Sequence, residues 1–369
     1  MEQKSLTKTS ALTTKKSRRN EQPSIQRYRI IVQSLFTLIC IWIGVEFYFF
    51  VRYLETAGAE GSAYRPPGVE GFLPISSLIS LYHFFLTGEI HPAHPAGLFI
   101  LLAAIAISLF FAKSFCAWVC PFGQLSQILG DLGEKIFRRK IKLPRWLDYP
   151  LRSLKYLLLA FFVYSIFFLM TTASLRAFLD SPYNIVADIK MYYFFGDISR
   201  SALIIIAILF FMSIIVRNFW CRYLCPYGAL LGVLSLLSPV KIKRNIENCI
   251  DCEKCAKVCP ALIEVDKVAM VLSDECTGCL KCVDICPVRE TLELKLLSTK
   301  RPVPKKAVAF GIVGLFVLTI GLGMVTGNWR NNVKTEEYLH YQKYLDSYGH
   351  PTGGSEIREL NKTTDTLKN

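Results

Sequence analysis

Cys249-Ile-Asp-Cys252-Glu-Lys-Cys255-Ala-Lys-Val-Cys259-Pro260 is followed at a short distance by Cys276-Thr-Gly-Cys279-Leu-Lys-Cys282-Val-Asp-Ile-Cys286-Pro287. Each run places three cysteines at x2 spacing and a fourth three residues on, ahead of proline. Three thiolates at that spacing wrap a loop around one cubane, and the fourth points away to ligate the other cluster. The spacing therefore assigns one [4Fe–4S] cluster to Cys249, Cys252, Cys255 and Cys286, and a second to Cys276, Cys279, Cys282 and Cys259. Thr277, Gly278 and Ala256 are small or polar, so amide N–H groups can reach the sulfurs. Zinc sites usually show two Cys-x2-Cys pairs with a longer gap, which two identical runs ending in Cys-Pro do not match.

Working outward, these eight belong to 13 cysteines in 369 residues. A secreted disulfide framework scatters cysteines through a small loop-rich chain, whereas here they recur at ligand spacing. The composition is 52% hydrophobic and 13% aromatic, with formal net charge +14 and positive mean hydropathy. Its basic residues cluster beside long apolar runs, as membrane topology signals do, which excludes nucleic acid as a partner.

Five apolar stretches are expected to span a membrane: Ile30–Val51, Ala93–Ala112, Tyr156–Ala173, Ser201–Val216 and Ala307–Thr326. About 20 apolar residues cross the hydrocarbon core as a helix. The second and fourth are shorter, but each resumes its apolar run after a basic residue. Phe72–Leu86, broken by Pro74, reads as an interfacial helix. The first stretch is not a cleavable signal peptide, because its basic lead and apolar run are too long and no cleavage site follows. Lys and Arg number eight in the N-terminal segment and nine between the second and third spans, against two and three after the first and third. The N-terminus, the second connection and the cysteine domain are thus expected on the cytoplasmic side of a bacterial inner membrane. The tail from Gly327, with six bases and six acids, falls outside; no apolar periodicity in it promises a domain.

An offset of 105 residues lays Phe115-Cys116-Ala-Trp-Val-Cys120-Pro121-Phe-Gly123 on Trp220-Cys221-Arg-Tyr-Leu-Cys225-Pro226-Tyr-Gly228. Duplicated membrane units often build a shared site at their interface. On a helix, cysteines at i and i+4 share a face. Cys116, Cys120, Cys221 and Cys225 can then bind a metal, form reversible disulfides, flank a quinone, or simply pack at a tight helix junction. Cys40, alone in the first span, reads as packing.

Glu46 lies inside the first span near its outer end, where an ionisable group is costly and so a functional candidate; snorkelling towards the interface beside Arg52 is the equal alternative. His91-Pro-Ala-His94-Pro lies on the same side, with His83 nearby. Histidines there can accept protons from a quinol or hold a metal, but the intervening prolines argue for a solvated loop at His94. Catalytic candidates are Glu46 and His91.

The order span, span, Cys-x3-Cys-Pro, span, span, Cys-x3-Cys-Pro, double cysteine run resembles the NapH/CcoG/NosR group of polyferredoxin-like membrane proteins, from about the first span to Pro287. The NapH type is the nearest. Such a resemblance implies quinol oxidation in service of a periplasmic reductase for the NapH type, copper reduction for the CcoG type and service to nitrous oxide reductase for the NosR type. The chain lacks the outer flavin domain of NosR-like members and the sizeable outer domain of CcoG-like ones. It also adds a fifth span where NapH-like members commonly end.

The resulting expectation is a mainly α integral membrane protein carrying a small α+β bacterial-type 2[4Fe–4S] ferredoxin domain. Its parts are a basic segment (1–29), a four-helix membrane domain (30–240), the ferredoxin domain (241–297), a fifth helix (305–326) and a polar periplasmic tail (327–369). The expected work is electron transfer between the quinone pool, or a cytoplasmic donor, and a redox partner protein. The alternative is an accessory factor that reduces or delivers copper, with the four paired cysteines as its site, since copper(I) prefers soft thiolates.

Overall fold

The computed structural model describes residues 19–297 and 301–349. The N-terminal half begins with a long apolar helix, α1 (Gln26–Glu55), whose first amide is received by the Ser24 hydroxyl at 3.2 Å. A 3-10 turn (Pro67–Phe72) leads into α2 (Pro74–Thr87). Pro74 does not break this interfacial segment; it starts the helix at N1, where its missing N–H costs nothing. Gly88 ends it at φ +73, a left-handed stop suited to glycine.

The first repeat unit is α3 (Pro95–Phe111), the short α4 (Ser114–Trp118) and α5 (Pro121–Phe137). Next come α6 (Arg145–Phe167), α7 (Thr172–Leu179), α8 (Pro182–Ile185) and α9 (Ala187–Gly196). The second unit is α10 (Arg200–Ile215), a π-turn (Trp220–Leu224) and α11 (Pro226–Ser235). Both units break at the cysteine pair, and both resume with proline at N1 and cysteine as N-cap.

The two units exchange partners: α3 packs on α11, and α5 on α10. Each cysteine turn is also buttressed by a long helix, α4 by α1 and the π-turn by α6. Contact in the α5–α10 pair is close enough that a Cβ on Gly133 would lie 1.7 Å from the Ile214 carbonyl oxygen.

Between the strands β1 (Val240–Arg244) and β2 (Leu292–Leu296) lie α12 (Lys254–Val258) and α13 (Lys281–Ile285). The strands pair antiparallel from Val240↔Leu296 to Arg244↔Leu292. The chain then enters α14 (Lys305–Val325), and α15 (Thr335–Lys343) is its last α-helix among the described residues.

The fold is a helical membrane protein with an α+β ferredoxin unit. Among the described residues three helices, α1, α6 and α14, are long and apolar enough to cross a membrane; α9 with α10, bent by 82°, makes a fourth if read as one span. The sequence expectation of about five spans stands as an approximate count beside these and the shorter apolar helices α3 and α11. Its second stretch forms the 17-residue α3, much of it buried inside the protein, which reads as apolar because it is core. Its third begins earlier than expected, since α6 runs from Arg145 and tolerates Pro150 near its start.

One hydrophobic core joins the two parts. Ile107 of α3, Trp118 of α4, Leu231 of α11 and Ile312 of α14 pack in the same cluster as Ile242, Leu280 and Leu294. The ferredoxin unit is thus seated in the helices rather than hung from them. Where the sequence promised no periodicity in the tail, Tyr338, Tyr341, Leu345 and Tyr348 pack on Phe47, Phe50, Val51 and Leu54 of α1.

Candidate iron–sulfur site

Two cavities lie in the ferredoxin unit. One is lined by Cys249, Cys252, Cys255 and Cys286, with Ile250, Val288 and Leu292 around them. The other is lined by Cys276, Cys279, Cys282 and Cys259, with Ile242, Val265 and Leu280. Each run thus gives three cysteines to one cavity and its fourth to the neighbour. Among the described residues no three His, Cys, Asp or Glu side chains converge as ligands of a single ion would. A cubane, being a body of several atoms, keeps its thiolates farther apart than one ion does.

The donor set and its surroundings fit such a body. Thiol-only sites suit iron–sulfur clusters, and backbone amides turn toward the sulfurs: Ala256 toward Cys255, Gly278 toward Cys276, Ala261 and Ile263 toward Cys259, Val288 and Leu292 toward Cys286. Burial pushes the Cys276 thiol up to about 12, against the Gly278 amide, which favours the thiolate. A cluster binds its cysteines as thiolates.

The second cavity is clasped by the two repeat units. Trp118, inside the first Cys-x3-Cys pair, donates from Nε1 to the Gly278 carbonyl at 3.1 Å. Arg222, inside the second, donates to the Ala261 carbonyl at 2.9 Å and pairs with Asp148 at 3.2 Å. Lys155 of α6 bonds Glu275, and Tyr156 bonds Asp274, just ahead of Cys276. From the N-terminal side, Gln26 donates to the Cys279 carbonyl at 2.9 Å and Asn20 to the Cys286 carbonyl at 3.0 Å.

Cys116, Cys120, Cys221 and Cys225 are brought together by the exchange of partners between the units. Cys225 raises the thiols of Cys116, Cys120 and Cys221 electrostatically, and Cys116 those of Cys120 and Cys221. Burial pushes Cys116 up to about 11 and Cys221 to about 12. The Cys225 Sγ accepts the Gly228 amide at 3.2 Å, and the Gly123 amide turns likewise to Cys120.

Comparison with known proteins adds to this geometry. A family described as "4Fe-4S dicluster domain" matches residues 242–294. Another, described as "4Fe-4S binding domain", matches 93–144 and 201–245. "Ferredoxin-type protein NapH" of Haemophilus influenzae is 30% identical over 43% of this chain and 53% of its own. An uncharacterized protein of Methanocaldococcus jannaschii is 29% identical over 44% of this chain and 58% of its own. "Putative electron transport protein YccM" of Escherichia coli (strain K12) is 45% identical over 338 residues, 90% of this chain and 94% of its own. The chain belongs to the NapH-like polyferredoxin family. No solved structure matches it.

This NapH-like polyferredoxin is accordingly a multi-pass membrane protein of iron–sulfur electron transport. Its remaining sequence candidates are scattered. Cys40 lies half-buried on α1. Glu46 accepts a hydrogen bond from Trp42 at 3.3 Å on the exposed side of α1. His91 is buried, with Nε2 3.0 Å from Asp180 and its ring 5.8 Å from that of His83.

His94, expected in a solvated loop, is 1% exposed. It bonds the Asn184 carbonyl at 2.6 Å and lies 3.3 Å from Arg65. Arg65 in turn pairs with Glu70 and Asp188, both at 2.7 Å. A desolvated charge needs such partners, and they come from the 3-10 turn (Glu70), α9 (Asp188) and the start of α3 (His94). Sequence reading missed this network, whose partial signal was charged residues among apolar neighbours.

Proposed function

We propose that this chain is a membrane-bound electron-transfer protein that holds two [4Fe–4S] clusters and passes electrons between the quinone pool and a redox partner enzyme. The observation that carries this reading is the pair of adjoining cavities, each with four cysteines drawn from both runs. Bound clusters supply one-electron chemistry at potentials from about −700 to +450 mV, set by their surroundings. The chain's own residues do the rest. Ile242, Val265 and Leu280 keep water from the second cavity, amides of Gly278 and Ala261 turn to its sulfurs, and Trp118 and Arg222 fix it against the helices.

The bias of Lys and Arg supports a cytoplasmic ferredoxin unit in a bacterial inner membrane. The quinone assignment is supported by the family resemblance. A quinol yields two protons with its two electrons, so acceptors are needed beside it. Glu46 and His91 are the proposed ones, and His91 has a way onward through Asp180.

Anaerobic purification with iron and sulfide analysis, followed by a redox titration read by EPR, tests the two-cluster reading. Zinc in place of iron would overturn it. Cysteine labelling in intact cells tests the sidedness. Quinol oxidation in membranes tests the proton acceptors: unchanged rates in both Glu46→Gln and His91→Asn would remove them.

A further inference from the structure

We propose that Cys116, Cys120, Cys221 and Cys225 together hold a third iron–sulfur cluster, set between the membrane helices and the second ferredoxin cavity. The proposal rests on the reading of the chain as an iron–sulfur carrier and extends it.

Four observations carry it. The donor set is cysteine alone, four thiols from two copies of one turn, and both [2Fe–2S] and [4Fe–4S] clusters take four thiolates. Next, the stretches matched by the "4Fe-4S binding domain" family, 93–144 and 201–245, stop short of Cys249 and contain these four cysteines and no others. The eight ferredoxin cysteines therefore do not account for that match.

Third, the turns are built to present sulfur. Both second cysteines are helix N-caps ahead of proline, and a Cβ on Gly123 would lie 1.9 Å from the Cys116 carbonyl oxygen, so the turn closes only with glycine there. The Gly228 amide donates to Cys225 Sγ, the kind of bond that steadies cluster thiolates.

Fourth, the charge is matched. Four thiolates around an iron–sulfur core are net negative, and a buried negative group needs a positive neighbour. Lys113 is 4% exposed and Lys155 has a fully buried side chain; both act electrostatically on Cys116 and Cys225. Lys155 also bonds Glu275, next to Cys276. The same two turns grip the second cavity through Trp118 and Arg222. A centre there adjoins the second cavity through the two turns that also bond the Gly278 and Ala261 carbonyls.

Full-length protein, purified anaerobically in detergent, is assayed for iron, acid-labile sulfide, zinc and copper, as wild type and as Cys116→Ser/Cys221→Ser. The expected wild-type content is about ten to twelve irons per chain, falling to about eight in the variant, with one EPR signal lost on reduction. Wild-type protein with about eight irons, or with about eight and a zinc or copper ion released by the variant, overturns the third cluster and leaves the two-cluster reading intact. Wild-type protein with little iron sinks both. Should the variant fail to accumulate, the wild-type iron count and the number of spins on full reduction decide alone.

Discussion

The first cysteine run lies at the protein surface, with Ile250 55% exposed and Asp251, Glu253 and Lys254 in solvent. The second is enclosed: Leu280 is 1% exposed, and Gly278 is buried against Ser114. Their backbones nevertheless agree. Asp251 and Gly278 occupy matching positions at φ +48 and +58, and Glu253 and Leu280 do so at +57 and +59. The ligand loop therefore sets the backbone, while the surroundings choose the side chain. Where the loop faces water a carboxylate can accept the left-handed strain; where it abuts α4 there is room only for glycine. A Cβ at Gly278 would lie 2.2 Å from Ser114 Oγ and 3.2 Å from the Phe111 carbonyl oxygen. On the proposed function, the exposed loop would exchange electrons with a partner and the enclosed one with the membrane part.

The sharpest way to break this contrast is to remove one ligand from each side. Cys279→Ser should abolish electron flow between the helices and the surface cluster, whereas Cys252→Ser should leave the enclosed cluster reducible from the membrane. Equal losses of enclosed-cluster reduction in stopped-flow spectra would erase the distinction. A second comparison exchanges the glycine and the aspartate. Gly278→Asp should cost the enclosed cluster outright, read as about half the iron of the two-cluster pair lost, while Asp251→Gly should retain it all.

A smaller effect is expected from Trp118→Phe, which strands the buried Gly278 carbonyl. An unpaired buried acceptor costs about 1–3 kcal/mol, so thermal loss of the enclosed cluster's absorbance should come earlier while the surface cluster is unmoved. The smallest is expected at the rim. Glu253→Ala should change the rate and salt dependence of reduction by a soluble donor by a few-fold at most, since rim charges act mainly on association. An effect confined to the enclosed cluster would mean that the roles of the two loops are exchanged.

The two cysteine runs were legible in the sequence because three of the four cysteines lining each cavity sit within a few residues of one another. The duplicated cysteine turns were legible for the same reason. What escaped was long-range. Trp118 and Gly278 are 160 positions apart and Arg65 and Asp188 are 123, and no local pattern announces such pairs. His94 was misread because flanking prolines usually mean solvated backbone, yet here Pro95 begins a buried helix. Hydropathy alone does not separate a largely buried helix such as α3 from a lipid-facing one. The tail is the instructive miss: Tyr338, Tyr341, Leu345 and Tyr348 follow helical spacing, masked by the charged residues between them.

The exchange of partners between the units, α3 with α11 and α5 with α10, carries a consequence for how such a molecule can arise. Neither unit can complete its own contacts, so a primitive half-length chain would have needed a twin to bury its helices. Two identical copies crossing in this way would bring their cysteine turns to a shared axis, and gene fusion would then let the halves diverge, one turn keeping tryptophan and the other arginine for the same neighbour.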